Sequence, residues 1–304
     1  MQTVTQDKFK PVVKTGNNER VVRQSLSYWA DAWRRLKKNK LAMFGLIVLA
    51  ALTILALIGP FLQPYDYQTQ DYAARNFAPS GSHWFGTDDL GRDQWVRVWW
   101  GVRISLFIGI IAAVLDFTIG VLYGGISAYF GGRVDDIMQR IIEIIYGLPF
   151  MIIVILLMMV MGPGIFSIII ALAATGWVGM ARLVRGQMLS LKEQEYVLAA
   201  RTLGASSWRI ILRHLVPNAL GIIIINVTFT VPGAIFAESF LSFIGLGIKP
   251  PMASLGSLVS DGVAVMRNFP WRLLCPSIVF SLIMLSFNLL GDGLRDALDP
   301  RLRK

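Results

Sequence analysis

The sequence predicts an all-α polytopic membrane protein with six transmembrane helices, and three observations carry that reading. Of its 304 residues, 55% are apolar and only 16% are charged, against roughly 25% charged in an average soluble domain. The mean hydropathy is +0.57, too high for a water-soluble fold to hide its apolar side chains. Apolar runs of about 20 residues, the length a helix needs to cross a hydrocarbon core about 30 Å thick, recur along the chain. The same figures exclude an ordinary soluble enzyme and a disordered chain, and the single cysteine excludes a disulfide-stapled secreted domain. A net charge of +10 suits nucleic acid only when the basic residues cluster beside a soluble fold. Here they lie between apolar runs, so the expected partner is a lipid bilayer and no nucleic acid.

Residues 1–40 form a polar N-terminal segment, not expected to be a cleavable signal because it is long and lacks a small-residue cleavage site. Within it, Leu26, Trp29, Trp33 and Leu36 fall at helical spacing among Arg34, Arg35, Lys37 and Lys38. That pattern predicts an interfacial helix on an anionic leaflet, or a charge cluster that serves topology alone. The first span, 41–62, carries no charge. An extracytoplasmic loop, 63–103, ends in Trp95, Trp99 and Trp100, as an aromatic belt would. The core, 104–291, holds the other five spans. The second runs from Ile104 to Tyr129, interrupted only by Asp116, and the third from Ile137 to Met161, with Arg140 and Glu143 in its first turns. After the turn Met161-Gly162-Pro163-Gly164, the fourth runs from Ile165 to about Ala181. The fifth, Ala219 to Gly247, contains Pro232 and Gly233, where a break is expected, and Glu238. The sixth covers Leu273 to Gly291, with Cys275 reading as a small apolar residue, and 292–304 is a tail.

Six spans put both termini on one side, and basic residues choose it. The N-terminal segment, the loops after spans two and four, and the tail hold 22 of the 29 Lys and Arg, leaving seven on the other face. Cytoplasmic loops carry that excess, so both termini are expected in the cytoplasm.

The cytoplasmic segment 190–218 is longer than a connection requires. Ser190 to Leu203 has helical composition, Gly204 can adopt the left-handed conformation that ends a helix, and Ser206 or Ser207 can cap a second short helix carrying Trp208, Ile211 and Leu212. Pro217 is expected to close that helix. One reading is an amphipathic loop lying on the bilayer. The other is a rigid docking element, with Ala199 and Ala200 permitting close approach and Glu195 and Arg201 at the rim.

The pattern Glu195…Ala199-Ala200-x-x-x-Gly204, followed by Arg213-His214-Leu215-Val216-Pro217-Asn218, resembles the EAA loop of ABC importer permeases. Tyr196-Val197-Leu198 separates the acidic residue from the alanines, so Ala199, Ala200 and Gly204 match the core spacing strictly. The stretches His83–Leu106, Ala128–Pro149, Ala237–Gly247 and Gly291–Arg303 are similar to the C-type membrane subunit of bacterial dipeptide and oligopeptide permeases. Nickel, glutathione and antimicrobial-peptide importers share these motifs. The resemblance implies a type I ABC importer permease fold and ATP-driven peptide import. It implies that Glu195, Ala199, Ala200, Arg201, Gly204, Ala205, Ser206 and Pro217 form the element coupled to an ATPase. It further implies a B-type second permease subunit, two cytoplasmic ATP-binding subunits that hold ATP and Mg, and an extracytoplasmic substrate-binding protein. Asp88, Asp89, Arg92 and Asp93 in the outer loop are candidates for contact with that last partner, the alternative being a folded cap over span two.

No catalytic residues, resident cofactor or metal ligands are expected on this chain. It contains no Gly-Lys dipeptide, so no P-loop, no HExxH, and two histidines, His83 and His214. Carboxylates at membrane depth are functional candidates. Glu238, with Ser239 and Ser242 beside it, reads as a hydrogen-bonded brace, as lining of the translocation path, or as the proton site of a secondary transporter. Asp116 and Glu143 read as structural. Nothing resembles the paired inverted halves expected of many secondary transporters. A non-transporting scaffold or channel subunit is the third alternative.

Overall fold

Long helices form where apolar runs meet capping residues. The structure, a computed structural model, describes residues 27–298. Leu26, the tail cations Arg301, Arg303 and Lys304, and the basic residues before position 27 lie outside the described residues. Ser27 caps α1 (Tyr28–Lys38) and Asn39 caps α2 (Lys40–Ile58) by accepting from Leu41 and Ala42 N–H groups. In α1, Trp29 and Trp33 are exposed while Leu36 packs against Ala42 and Ala297. That placement gives α1 one face packed on the rest of the chain and one face exposed.

Asp93 caps α3 (Gln94–Phe130), which starts well before the apolar run at Ile104 and is one of the two longest helical runs described. Helices α6 (Ile165–Thr175) and α7 (Trp177–Leu191) together make one span that reaches beyond the expected end at Ala181. A fifth long span runs as α12 (Trp271–Leu298), continuing through Pro276 into the expected tail. Among the described residues, five helices are long and apolar enough to cross a membrane, or six if one bent pair counts as a single span.

That bent pair corrects the expected straight third span. Helix α4 (Gly132–Gly147) and α5 (Phe150–Met161) meet at 82° across Leu148-Pro149. Proline restricts the residue before it to extended backbone, and Leu148 has ψ of 127°. The fifth span departs the other way. Helix α9 (Ser207–Ile210), a π turn over 211–215 and α10 (Val216–Phe243) form one helical run. The expected break at Pro232-Gly233 is absent, and Pro217 opens α10 instead of closing the helix before it. Proline is tolerated near a helix start, where an N–H has no partner to lose. The preceding π turn widens the backbone there, and the Asn218 side-chain amide donates to the His214 carbonyl at 2.6 Å.

Helix α3 is the mast of the molecule, packed by α7 on one side and α10 on another. Gly120 and Gly124 let α7 approach closely: a Cβ on Gly120 would come within 2.6 Å of Met180. The short helix α8 (Glu195–Thr202) projects at one end of the mast, and residues 63–93 fold as a cap at the other, beside α11 (Leu255–Val265).

Candidate functional site

At the hairpin end, α7 stops at Leu191 and Lys192 donates through Nζ to the Ala128 carbonyl at 2.8 Å, tying the hairpin's root to the end of α3. The helix expected over 190–203 is thus interrupted at 192–194, and α8 begins at Glu195. Gly204 has φ of +81°, the left-handed conformation that costs a residue with a Cβ about 1–2 kcal/mol. The Ala205 N–H donates back to the Ala200 carbonyl at 3.0 Å, a six-to-one bond that closes the helix end. Ser206 then caps α9 by accepting from the Arg209 N–H. The glycine bend stands where expected, between α8 and α9, while the first helix starts only at Glu195 and the second runs on into α10.

One face of this hairpin is rooted and the other is open. Val197, Ile210, Ile211 and Leu215 are buried with Met188 of α7 and Ala128 of α3. Arg201 lies 5.5 Å over the Tyr129 ring, so it also braces the root. Outward, Leu203 is 87% exposed, and Leu198 and Trp208 are exposed beside Glu195 and Ala199. Three large apolar side chains exposed on a capped, rigid element form a surface that wants a cover.

Near the other end, Glu238 has 0% exposure. Its carboxyl group accepts from Ser242 at 2.8 Å, Ser105 of α3 at 3.0 Å and Ser239 at 3.3 Å. Ser254, the cap of α11, donates to Ser242 Oγ at 3.2 Å. Four serines and one carboxyl group thus lock α3, α10 and α11 together. Glu238 and its serines sit in the interior of the chain, the arrangement of a hydrogen-bonded brace.

The cap buries most of its charge. Asp88 pairs with Arg92 at 2.7 Å and with Arg97 at 3.4 Å, and its Oδ1 accepts from the Leu90 and Arg92 N–H groups. Asp93 Oδ1 accepts from the Val96 N–H at 2.9 Å, while Oδ2 lies 2.9 Å from His83 Nδ1. Asp88, Arg92 and Asp93 are therefore interior pins, and of the four outer-loop candidates only Asp89 reaches the surface, where it pairs with Arg272 at 3.0 Å. Sequence spacing does not reveal the partner of Asp89, because Arg272 lies 183 positions away in the chain. Ser105 was missed for the same reason.

Residues 105–304 match the family described as binding-protein-dependent transport system inner membrane component, and residues 27–79 match the N-terminal TM domain of oligopeptide transport permease C. The chain is 58% identical over 292 residues to the dipeptide transport system permease protein DppC of Bacillus subtilis, covering 96% of this chain and 91% of that one. It is 51% identical to the oligopeptide transport system permease protein OppC of the same organism, with all of both chains covered. Among solved structures, an inward-facing conformation of the MetNI methionine ABC transporter superposes with a TM-score of 0.54 at 18% identity, covering 66% of this chain and 94% of that one. At that identity the match speaks to the fold alone.

Proposed function

Because the chain belongs to the family of binding-protein-dependent transport system inner membrane components, in its C-type peptide-permease branch, we propose how it works as a subunit of a peptide ABC importer. It is a multi-pass protein of the cytoplasmic membrane and a transport subunit, not an enzyme. In our reading it pairs with a B-type permease subunit, and the two enclose the path. Two cytoplasmic ATP-binding subunits hold ATP and Mg and hydrolyse ATP, and an extracytoplasmic binding protein delivers di- or oligopeptides. Both termini and the hairpin face the cytoplasm, following the basic-residue excess.

The observation that carries this reading is the hairpin: bent at Gly204, capped there by Ser206, rooted in the core of α3, α7 and α10, and apolar at its free surface. Such an element transmits force only if nucleotide biases it between two packed arrangements. Leu198, Leu203 and Trp208 enter the groove of an ATP-binding subunit, with Glu195 and Ala199 at its rim. Ala200, Arg201, Gly204, Ala205, Ser206 and Pro217 hold the shape behind them. Motion of the hairpin then moves α7 and α10, which are continuous with it. On the outer face, Asp89 and the cap surface meet the binding protein, with Asp88, Arg92 and Asp93 setting the cap's shape from within.

Gly204→Asp tests the coupling. It forces a side chain into left-handed backbone and adds charge beside the apolar surface. Expected is a chain that reaches the membrane at normal level while ATP-dependent peptide uptake falls to background. Normal uptake by that variant, or hairpin cysteines that never cross-link to an ATP-binding protein in native membranes, would defeat the proposal.

A further inference from the structure

Pro60 has no N–H, so the Ala56 carbonyl near the end of α2 lacks the donor that a helix supplies from four residues on. Arg103, one residue before the apolar run of α3, makes good the loss. Its Nε donates to the Ala56 carbonyl and its Nη2 to that of Leu57. The guanidinium also lies 4.7 Å from the centre of the Trp100 ring and 5.3 Å from that of Phe61. These contacts fix the group without neutralising it. Carbonyls and rings carry no charge, no carboxylate among the described residues pairs with Arg103, and two of its five N–H donors are engaged.

That charge stands at the mouth of an apolar groove. Arg103, Phe107 and Ile110 follow one another at helical spacing on α3, and Thr53 and Leu57 do so on α2. Together they line a cavity of about 540 Å³ in which Arg103 is the one charged lining residue. Leu57, Phe107 and Ile110 are each at least 50% exposed. From Arg103 to Ile110 the helix rises about 10 Å, against about 15 Å for one leaflet of the hydrocarbon core. The groove therefore has the depth of the upper part of an acyl chain, with a fixed cation where the headgroup begins.

We propose that the seam between α2 and α3 holds one anionic phospholipid, with its phosphodiester on the Arg103 guanidinium and an acyl chain along Leu57, Phe107 and Ile110. Charge complementarity selects that occupant. An arginine fork matches two oxygens of a phosphate, and an unpaired cation at the membrane boundary attracts a headgroup of opposite sign. The apolar floor then takes a chain that a soluble anion does not carry. A zwitterionic headgroup brings a cation of its own beside Arg103, so net-negative lipid is preferred. By the basic-residue orientation the site lies in the outer leaflet, at the foot of the cap. Bound there, the lipid ties the first span to the mast. The inference needs only that the chain spans a bilayer, and it stands apart from the importer reading.

The test uses the full chain, purified in detergent with its native partner subunits, and a phosphatidylglycerol carrying a photoactivatable diazirine in one acyl chain. After illumination and digestion, mass spectrometry should find label on Leu57 and Phe107. Unlabelled phosphatidylglycerol should displace it, and phosphatidylcholine of the same chains should not. Arg103→Gln should lower the label about tenfold, as the loss of one charge-assisted contact does. If that variant does not assemble, Ile110→Trp fills the groove and leaves the carbonyl bonds of Arg103 in place, and it too should lower the label. Absence of label, label that the variants leave unchanged, or equal displacement by phosphatidylcholine overturns the inference. So does a Leu57→Cys side chain that cross-links to a partner subunit, since protein would then cover the seam.

Discussion

Ser105 donates to Glu238 across two helices and accepts from the Leu255 N–H at 3.4 Å, so one hydroxyl joins α3, α10 and α11. Ser105→Ala removes a donor from a fully buried carboxyl group, at a cost of about 1–3 kcal/mol, which a lowered Tm of the purified complex would register. Asp261 of α11 offers a pH handle outside the spans. Its side chain is exposed, yet the elements packed around it partly desolvate the carboxyl and raise its pKa above the usual carboxylate value, with Arg97 and Arg272 pulling the other way. The folded protein therefore holds that proton more tightly than the unfolded chain does. The stability so gained is complete below the unfolded value of about 3.9 and is lost as pH rises through the folded one. Asp261→Asn cannot ionise, so its Tm should fall less than that of the parent between pH 4 and 7. Single residues were the least legible scale in the sequence. Glu238 beside two serines announced a polar cluster, but its direction depended on Ser105 and Ser254, and the burial of Asp88 depended on how the cap folds over Arg97.

Helices were more legible, because caps and apolar runs are local. Gly204 and Ser206 bend the hairpin as their chemistry requires, whereas the three prolines behaved according to context. Pro149 bends the third span by 82° because it follows a glycine and a residue it forces into extended backbone. Pro232 leaves α10 unbroken, since packing against α3 and α12 holds the helix on both sides of it. The bent element α4 is held by a two-pronged pair, with Arg185 Nε 2.6 Å from Asp135 Oδ1 and its Nη2 on Oδ2. Ser127 also donates to Asp135. A double-mutant cycle of Asp135→Asn and Arg185→Gln should give a coupling energy of about 1 kcal/mol, the upper end for partly exposed pairs, measured from Tm shifts. Additivity of the two would mean that α4 is held by its apolar contacts alone.

For the whole molecule, composition and span length carried the class, and the charge bias carried an orientation that labelling can check. Phe77 lies on the cap and Leu203 on the hairpin, both exposed. In a Cys275→Ala background, an impermeant maleimide should label Phe77→Cys in intact cells and Leu203→Cys only after permeabilisation. The reverse pattern would invert the topology. The cavity between α7, α10 and α12 was not legible as a whole, since Asn218 and Asn226 are ordinary residues until helix packing sets them beside Gln187 and Arg295. The mast itself reaches further than any membrane demands. At 37 residues, α3 is about 55 Å long against about 30 Å of hydrocarbon. Asp93 pins its first turn into the cap and Lys192 clasps its last turn to the hairpin. A single unbroken beam thus joins the cap to the hairpin root, and in the proposed importer the arrival of a loaded carrier outside would reach the inner face as a shove on one rod, with no relay of loops between.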